Sequence, residues 1–436
     1  MKNSRILFLL LFLISFFGAF ATNAPVYVRL LYLTSLIIGG SWLWVKLSIS
    51  GLRLIRRSRS LRANVGDIYD EYFEVHNNNR WLCPWIEIHN ETDLPASAGS
   101  RLLVGIKKRE KRSYLARTWL VQRGAFSLGP TTLISRDPLG VFLSQKSFSA
   151  ESELIVLPLL LNLTSFPDPP GLLSGGKVLR QKSLGITPHA AGVREYAPGD
   201  ALRRIHWATS ARRQKLMVKE FDQDPQSSVW IFLDAESAAQ ISQKDYSPLE
   251  GWDNWMLGHK PEFDLPPSTF EYAVTSAASL THYFTKARRA VGLIVAGQKS
   301  IVIPADRSTR QEEKILETLA FIQSTGELSM EALVATQAGQ LPQGSSAVLI
   351  TASVRPEIMH AVDDLLRRNQ RPTVVLLDAE SFGSEKSNAA LVESLRKINV
   401  PVCRVLCGDD LEKALSNISG TTSTKENFLW REPFTP

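Results

Sequence analysis

Two apolar runs near the amino terminus, Ile6 to Ala21 and Val26 to Val45, constrain this chain more than anything that follows them. Each is close to the roughly 17–25 residues that an α-helix needs to cross a bilayer. Lys2 and Arg5 precede the first run. The second carries only Arg29, near enough to its start for the long side chain to snorkel to the interface. Trp42 and Trp44 sit at its end, where aromatic residues favour the membrane–water boundary. Lys46 to Arg62 then adds six basic residues, and a cationic flank marks the cytoplasmic side. The expected topology is a helical hairpin turning outside around Thr22–Pro25. That makes a multi-pass protein of the inner (cytoplasmic) membrane with its soluble domains in the cytoplasm. Ala19-Phe20-Ala21 also resembles a signal-peptide cleavage site; cleavage there leaves the second run as an anchor with the same side inside.

The charge is lopsided in the same way. Residues 1–62 hold nine Lys or Arg and no acid, so the formal +7 of the whole chain becomes −2 from residue 63 onward. The cationic end therefore belongs with lipid headgroups. With no zinc-finger or RNA-recognition pattern, a nucleic-acid partner is disfavoured. Cys83, Cys403 and Cys407 make no framework of pairs, and the spacing of the last two is neither a metal knuckle nor a redox motif. Buried, reduced thiols are expected.

From residue 63 to 160 the pattern is β. Ile68–Val75 and Trp85–His89 alternate apolar with polar, with Asn77-Asn78-Asn79 as a turn between them. Arg101–Ile106, Tyr114–Val121 and Leu154–Pro158 continue the series, which suits a small β-sandwich. Arg123-Gly124, Leu128-Gly129-Pro130 and Asp137-Pro138-Leu139-Gly140 are expected to specify turns, with Leu139 and Phe142 tucked inward. Residues 161–191 are rich in Pro, Gly, Ser and Leu and suit a linker. Gly175-Gly176-Lys177 within them lacks the remaining residues of a phosphate-binding loop. Residues 222–436 alternate strands with helices: strands at Val229–Asp234, Ala290–Ala296, Ala347–Thr351, Thr373–Asp378 and Val402–Leu406, and a hairpin partner at Ser300–Pro304. Helices are expected at Glu271–Arg288, Gln311–Gln323, Pro356–Asn369, Ala389–Ile398 and Asp409–Asn417. This is a doubly wound α/β domain, interrupted at residues 238–268 by an insertion with Trp252, Trp255 and several prolines.

Between these parts, residues 192–221 form the densest run of special residue types. Pro198-Gly199 sets a tight turn, and Asp200 is placed to cap a helix whose Leu202, Ile205 and Thr209 face inward. Arg203, Arg204 and Trp207 share the more exposed arc, with Arg212 and Arg213 beyond it, and Leu216-Met217-Val218 reads as a brief strand. Two readings are open. One is a docking or catalytic surface built from Arg194, Asp200, Arg203, His206 and Trp207. The other is an arginine-stapled connector whose guanidinium groups satisfy carboxylates and carbonyls. An enzyme would use His206 as general base with Asp200 or Glu195 as its orienter. An N-cap aspartate points its carboxylate at backbone N–H groups, however, and no nucleophile motif is present.

The run Arg194-Glu195-Tyr196-x-Pro198-Gly199-Asp200-x-x-Arg203-x-Ile205-His206-Trp207, followed by Ser210-Ala211-Arg212, resembles the signature of a bacterial family catalogued as domain of unknown function 58. Arg123-Gly124-x-Phe126-x-Leu128-Gly129-Pro130 and Asp137-Pro138-Leu139-Gly140-Val141-Phe142 match it as well, in the same order. The resemblance implies an uncleaved membrane hairpin, a von Willebrand factor A-like α/β domain, and a MoxR-type AAA+ ATPase as partner in assembling or maturing membrane or envelope complexes. The expected function is thus a protein-interaction scaffold rather than an enzyme. Arg194, Tyr196, Asp200, Arg203, His206, Trp207 and Arg212 are its partner-binding candidates. Domains of the von Willebrand type often hold Mg²⁺ on an Asp-x-Ser-x-Ser sequence after the first strand. Here Asp234 is kept, but Glu236 and Ala238 replace both serines, and the loop after a later strand reads Thr351-Ala352-Ser353. Asp234 and Glu236 are accordingly weak metal candidates, and no cofactor is expected.

Overall fold

The computed structural model describes residues 2–22, 24–149, 152–166, 190–196, 205–221, 228–243, 263–297, 300–342 and 344–416. The chain divides into two units. The first comprises residues 1–160, 243–278 and 313–322; the second comprises 161–242, 279–312 and 323–436.

Both apolar runs of the first unit are helical, α1 (Lys2–Thr22) and α2 (Pro25–Ser50). Pro25 lies in the first turn of α2, where its missing N–H forfeits no intrahelical bond. Both helices are long and apolar enough to cross a membrane, and most of their large side chains are exposed within the molecule. The end of α2 is different: Val45, Ser48 and Ile49 are buried, and Ile49 joins the core of the strands that follow.

Those strands are β1 (Leu52–Ser58), β2 (Arg62–Asn64), β3 (Ile68–Asn77), β4 (Cys83–Asn90), β5 (Arg101–Ile106), β6 (Lys111–Trp119), β7 (Gly124–Ser127), β8 (Thr131–Arg136), β9 (Leu143–Phe148) and β10 (Glu153–Leu157). They form sheets in the orders β1-β3-β6, β5-β4-β8-β9 and β2-β10-β7. One core holds Leu52, Phe73, Val75, Ile86, Ile88, Ile106 and Leu133 from the first two sheets, with Phe73 stacked on Tyr114 at 5.1 Å. A second core holds Val65, Tyr69, Phe126, Leu128, Leu154 and Val156 around the third sheet. Strand β1 falls in the segment read from the sequence as a basic flank. Paired antiparallel with β3, it turns Arg56 inward onto Glu71.

Three motifs read as turns differ in detail. Asp137 does organise one: its carboxylate accepts from Leu139 N at 3.1 Å and Phe142 N at 2.6 Å. The residue it buries is Val141, however, whereas Leu139 is exposed and Phe142 only half-buried. Gly129 has a φ of +50°, and a Cβ there would collide with the Glu91 carbonyl, so only glycine fits. Arg123 does more than enter a turn. Its buried guanidinium pairs with Glu271, donates to the carbonyls of Leu319 (3.0 Å) and Ile322 (2.8 Å), and lies over the Phe270 ring, all within the same unit.

The second unit is built on a six-stranded sheet of order β15-β14-β13-β16-β17-β18. Its strands are β13 (Val229–Leu233), β14 (Val291–Ala296), β15 (Ser300–Asp306), β16 (Ser346–Thr351), β17 (Arg371–Leu377) and β18 (Val402–Val405). All are parallel except the edge strand β15. Strands β13, β14 and β16 are buried at every position, as a parallel sheet covered on both faces requires. Helices α6 (Met330–Gln337), α7 (Ile358–Arg367) and α8 (Ala389–Lys397) pack into the core beside Phe232, Leu349 and Leu376. Helices α4 (Thr269–Lys286) and α5 (Thr309–Phe321) each contribute residues to both units, and α9 (Leu411–Ser416) belongs to the second. Helix α6 was not expected from the sequence; Ser329 caps it by accepting from Ala332 N. Most of the insertion at 238–268, and of the linker at 161–191, lies outside the described residues.

A small antiparallel pair, β11 (Ala190–Glu195) with β12 (Met217–Phe221), flanks the helix α3 (Trp207–Arg213).

Candidate functional site

The sequence candidates gather in two places of the second unit. The first is the hairpin. Arg194 pairs in register with Val218 and Glu195 with Met217, while Tyr196 N donates to Leu216 O at 2.8 Å. Ile205 forms a β-bridge with Val218 rather than a helical face, so the helix begins later than the sequence suggested. Its N-cap is His206, with Asp200 and Arg203 outside the described residues. His206 Nδ1 accepts from Thr209 N at 3.1 Å and lies 2.8 Å from Thr209 Oγ1. Ser210 Oγ donates to His206 O and accepts from Met217 N at 2.8 Å, which ties helix to strand. Arg212 and Arg213 end the helix, where cations complement its dipole. Trp207, 68% exposed, and Arg212, Arg213 and Lys215 all face solvent along this short helix and the turn after it.

His206 and Glu195, the pair an acid–base mechanism would use, have separate partners, because Glu195 Oε1 takes Lys215 Nζ at 2.9 Å. The imidazole has a mechanical task in this arrangement. His206→Ala is expected to lose about 1 kcal/mol of stability, and His206→Asn, which can still cap, to lose little of it. Thermal unfolding of the two variants checks this.

The second place is the carboxyl edge of the sheet, where strand order reverses beside β13 and ligands bind in open α/β folds. Asp234, the residue after β13, is buried. Its Oδ1 accepts from Glu236 N at 3.0 Å and its Oδ2 from Thr351 Oγ1 at 2.5 Å. Burial pushes its carboxyl up to about 6; the two hydrogen bonds and Arg355 only partly oppose this. Thr351 Oγ1 also accepts from Ser353 N at 3.0 Å. Glu236 Oε1 meets Arg355 Nη1 at 2.8 Å, and further along the edge Asp378 meets Arg404 at 2.9 Å. Gly326 exchanges backbone hydrogen bonds with Ala235 and Ser237, so close that a Cβ would strike the carbonyls of Ala235 and Ala296. Among the described residues no three of His, Cys, Asp and Glu are grouped to hold a metal ion. Burial also raises the Cys83 thiol to about 11 and the Cys403 thiol to about 12, which leaves both unreactive.

Asp234 and Glu236 stand out in the sequence, whereas Arg355 and Arg404 do not. Neither arginine lies near its acid in sequence: Arg355 is 119 residues from Glu236, and only the crossover connections of the sheet bring them together.

The family model described as "Protein of unknown function DUF58" matches residues 192–247, which span the hairpin and the start of the carboxyl edge. The chain is similar to the protein YeaD of Bacillus subtilis (strain 168), described as uncharacterized. The two are 21% identical over 325 residues, covering 73% of this chain and 72% of that one. Among solved structures it aligns with the CARDB domain of a Pyrococcus furiosus protein in complex with di-metal ions: TM-score 0.17, 9% identity, 24% of this chain and 91% of that one. A cycloisomaltooligosaccharide glucanotransferase of Paenibacillus sp. aligns with a TM-score of 0.14 at 8% identity, over 74% of this chain and 44% of that one. At such scores neither alignment bears on fold or function.

Proposed function

We propose that the chain is a membrane-anchored scaffold of the inner membrane, facing the cytoplasm. In this reading its α/β unit is von Willebrand factor A-like, and it engages a MoxR-type AAA+ ATPase during assembly or maturation of membrane or envelope complexes. The observation that carries the domain reading is the sheet itself. Its first strand, β13, is central, the chain winds outward on both sides of it, one edge strand is antiparallel, and an acid follows β13 at the switch point. The two apolar helices, with the end of α2 rooted in the β core, support the anchor. The sequence has no phosphate-binding loop, so nucleotide chemistry falls to the partner. The exposed Trp207, on the same short helix as the exposed Arg212 and Arg213, has the composition of an interface anchor: an aromatic body to bury and charges to steer an acidic surface.

A photo-crosslinking amino acid at position 207, activated in intact cells, tests the reading. The expected adduct contains an AAA+ ATPase, and Arg212→Glu reduces its yield several-fold. If the adducts contain no ATPase, the partnership is wrong. If protease added to intact spheroplasts digests the second unit, the orientation is wrong.

A further inference from the structure

The von Willebrand reading brings with it the expectation of a divalent cation at the carboxyl edge, and the residues present do not fit one. Mg²⁺ needs close to six oxygen ligands in near-octahedral array. Here both oxygens of Asp234 already accept hydrogen bonds, from Glu236 N and Thr351 Oγ1. The Thr351 hydroxyl spends its proton on Asp234 and one lone pair on Ser353 N. Glu236 Oε1 is held by Arg355, and position 238, where the second hydroxyl belongs, is alanine with no donor atom. A cation entering this place would also have to approach a fixed guanidinium.

We infer that Arg355 stands in for the cation: its guanidinium, paired with Glu236 beside Asp234, closes the carboxyl edge to divalent ions and supplies the positive charge that a bound metal supplies elsewhere. The inference rests on the von Willebrand reading of the unit, though not on the identity of any partner. Its geometry is consistent. Glu236 is buried whereas the Arg355 side chain is 47% exposed, so the acid is sequestered and the positive group faces outward. A guanidinium is always charged and can pair with more than one carboxylate through its fork. Arg355 is in turn braced by its own backbone, its N–H donating to Ser353 Oγ at 3.2 Å. An acidic side chain meeting this edge would find a positive group that no chelator removes.

The test needs only the full-length protein in detergent and Mn²⁺, followed by the electron paramagnetic resonance signal of the free ion. The native protein is expected to take up no Mn²⁺ at concentrations up to about 1 mM. The triple variant Arg355→Ala, Glu236→Ser, Ala238→Ser restores the hydroxyls and removes the guanidinium. It is expected to bind one Mn²⁺ at least about tenfold more tightly than the native protein. Uptake of one ion by the native protein at the same edge, abolished by Asp234→Asn, overturns the inference. So does a triple variant that keeps the native circular dichroism and thermal transition yet binds nothing. Should that variant not fold, Arg355→Ala alone decides. It leaves Glu236 without its guanidinium and is expected to gain Mn²⁺ uptake, and a folded Arg355→Ala protein that gains none refutes the role given to Arg355. No partner enters these measurements, so the ATPase proposal and this one fail separately.

Discussion

Arg56→Met is expected to destabilise the β unit by about 3–5 kcal/mol, because it strands the Glu71 carboxylate in the core with no cation. Glu71 is 0% exposed, and Arg56 reaches its Oε1 with Nε at 2.9 Å and Nη2 at 2.5 Å. The same guanidinium serves Asn90 Oδ1 at 3.0 Å and the Leu128 carbonyl, so one side chain ties β1, β3, β4 and the Gly129 turn together. Burial already raises the Glu71 carboxyl above its ordinary value even with Arg56 present, and removing the arginine raises it further. An acid whose folded-state value is raised is most favourable below its unfolded value and loses stability as pH rises through the folded one. The Arg56→Met deficit should therefore be small near pH 4 and complete at pH 8. Urea unfolding of the detergent-solubilised protein at the two pH values measures it. The double variant Arg56→Met, Glu71→Met should recover most of the loss, since an apolar pair can replace a buried ion pair. A single-variant loss below about 1 kcal/mol at pH 8 would show that water reaches Glu71 and that the pair is ornamental.

That pair also marks the boundary of what the sequence discloses. The parallel strands were legible because a strand buried on both faces must be a continuous apolar run, and Val229–Leu233 or Ser346–Thr351 has few other options. The two apolar helices were legible by length alone. Strands β7, β8 and β9 were not: they are short, and they sit against Gly124, Gly129-Pro130 and Asp137-Pro138, whose strong turn chemistry hid what lay between. Strand β1 was masked by its arginines, which read as a membrane flank. A signal was present nonetheless, for Glu71 falls in phase with Tyr69, Phe73 and Val75 on the inward face of β3, and a carboxylate at such a position requires a buried cation. In the hairpin, Asp200 was the expected cap on residue preference, but His206 fills that role for the helix at Trp207–Arg213. At the carboxyl edge the acids were legible and their arginines were not. Residues on one strand end announce themselves by position, whereas the partner of Glu236 depends on which crossover lands beside it.

Asp234→Asn should reverse the sign of its effect with pH, which separates the charge of this side chain from its hydrogen bonds. The folded-state value of about 6 exceeds the ordinary 3.8, chiefly through burial, with Glu236 adding to the rise and Arg355 opposing it. Stability from the protonated form is therefore fully present below 3.8 and is lost as pH climbs through about 6. At about 1.4 kcal/mol per unit, the ionised carboxylate costs the fold about 3 kcal/mol at pH 8. Asparagine removes that cost. It also has one acceptor oxygen where aspartate has two, so either Glu236 N or Thr351 Oγ1 loses its acceptor, at about 1 kcal/mol. The variant is thus expected to be about 2 kcal/mol more stable than the native protein at pH 8 and about 0.5 kcal/mol less stable near pH 4, with the two curves crossing between about pH 4 and 5. Chemical unfolding of both proteins at unit intervals from pH 4 to 8 draws the curves. A difference that stays constant over that range would mean that Asp234 keeps its charge in the folded state, held there by a counter-ion. Arg355, which already opposes the rise, is the counter-charge this edge offers.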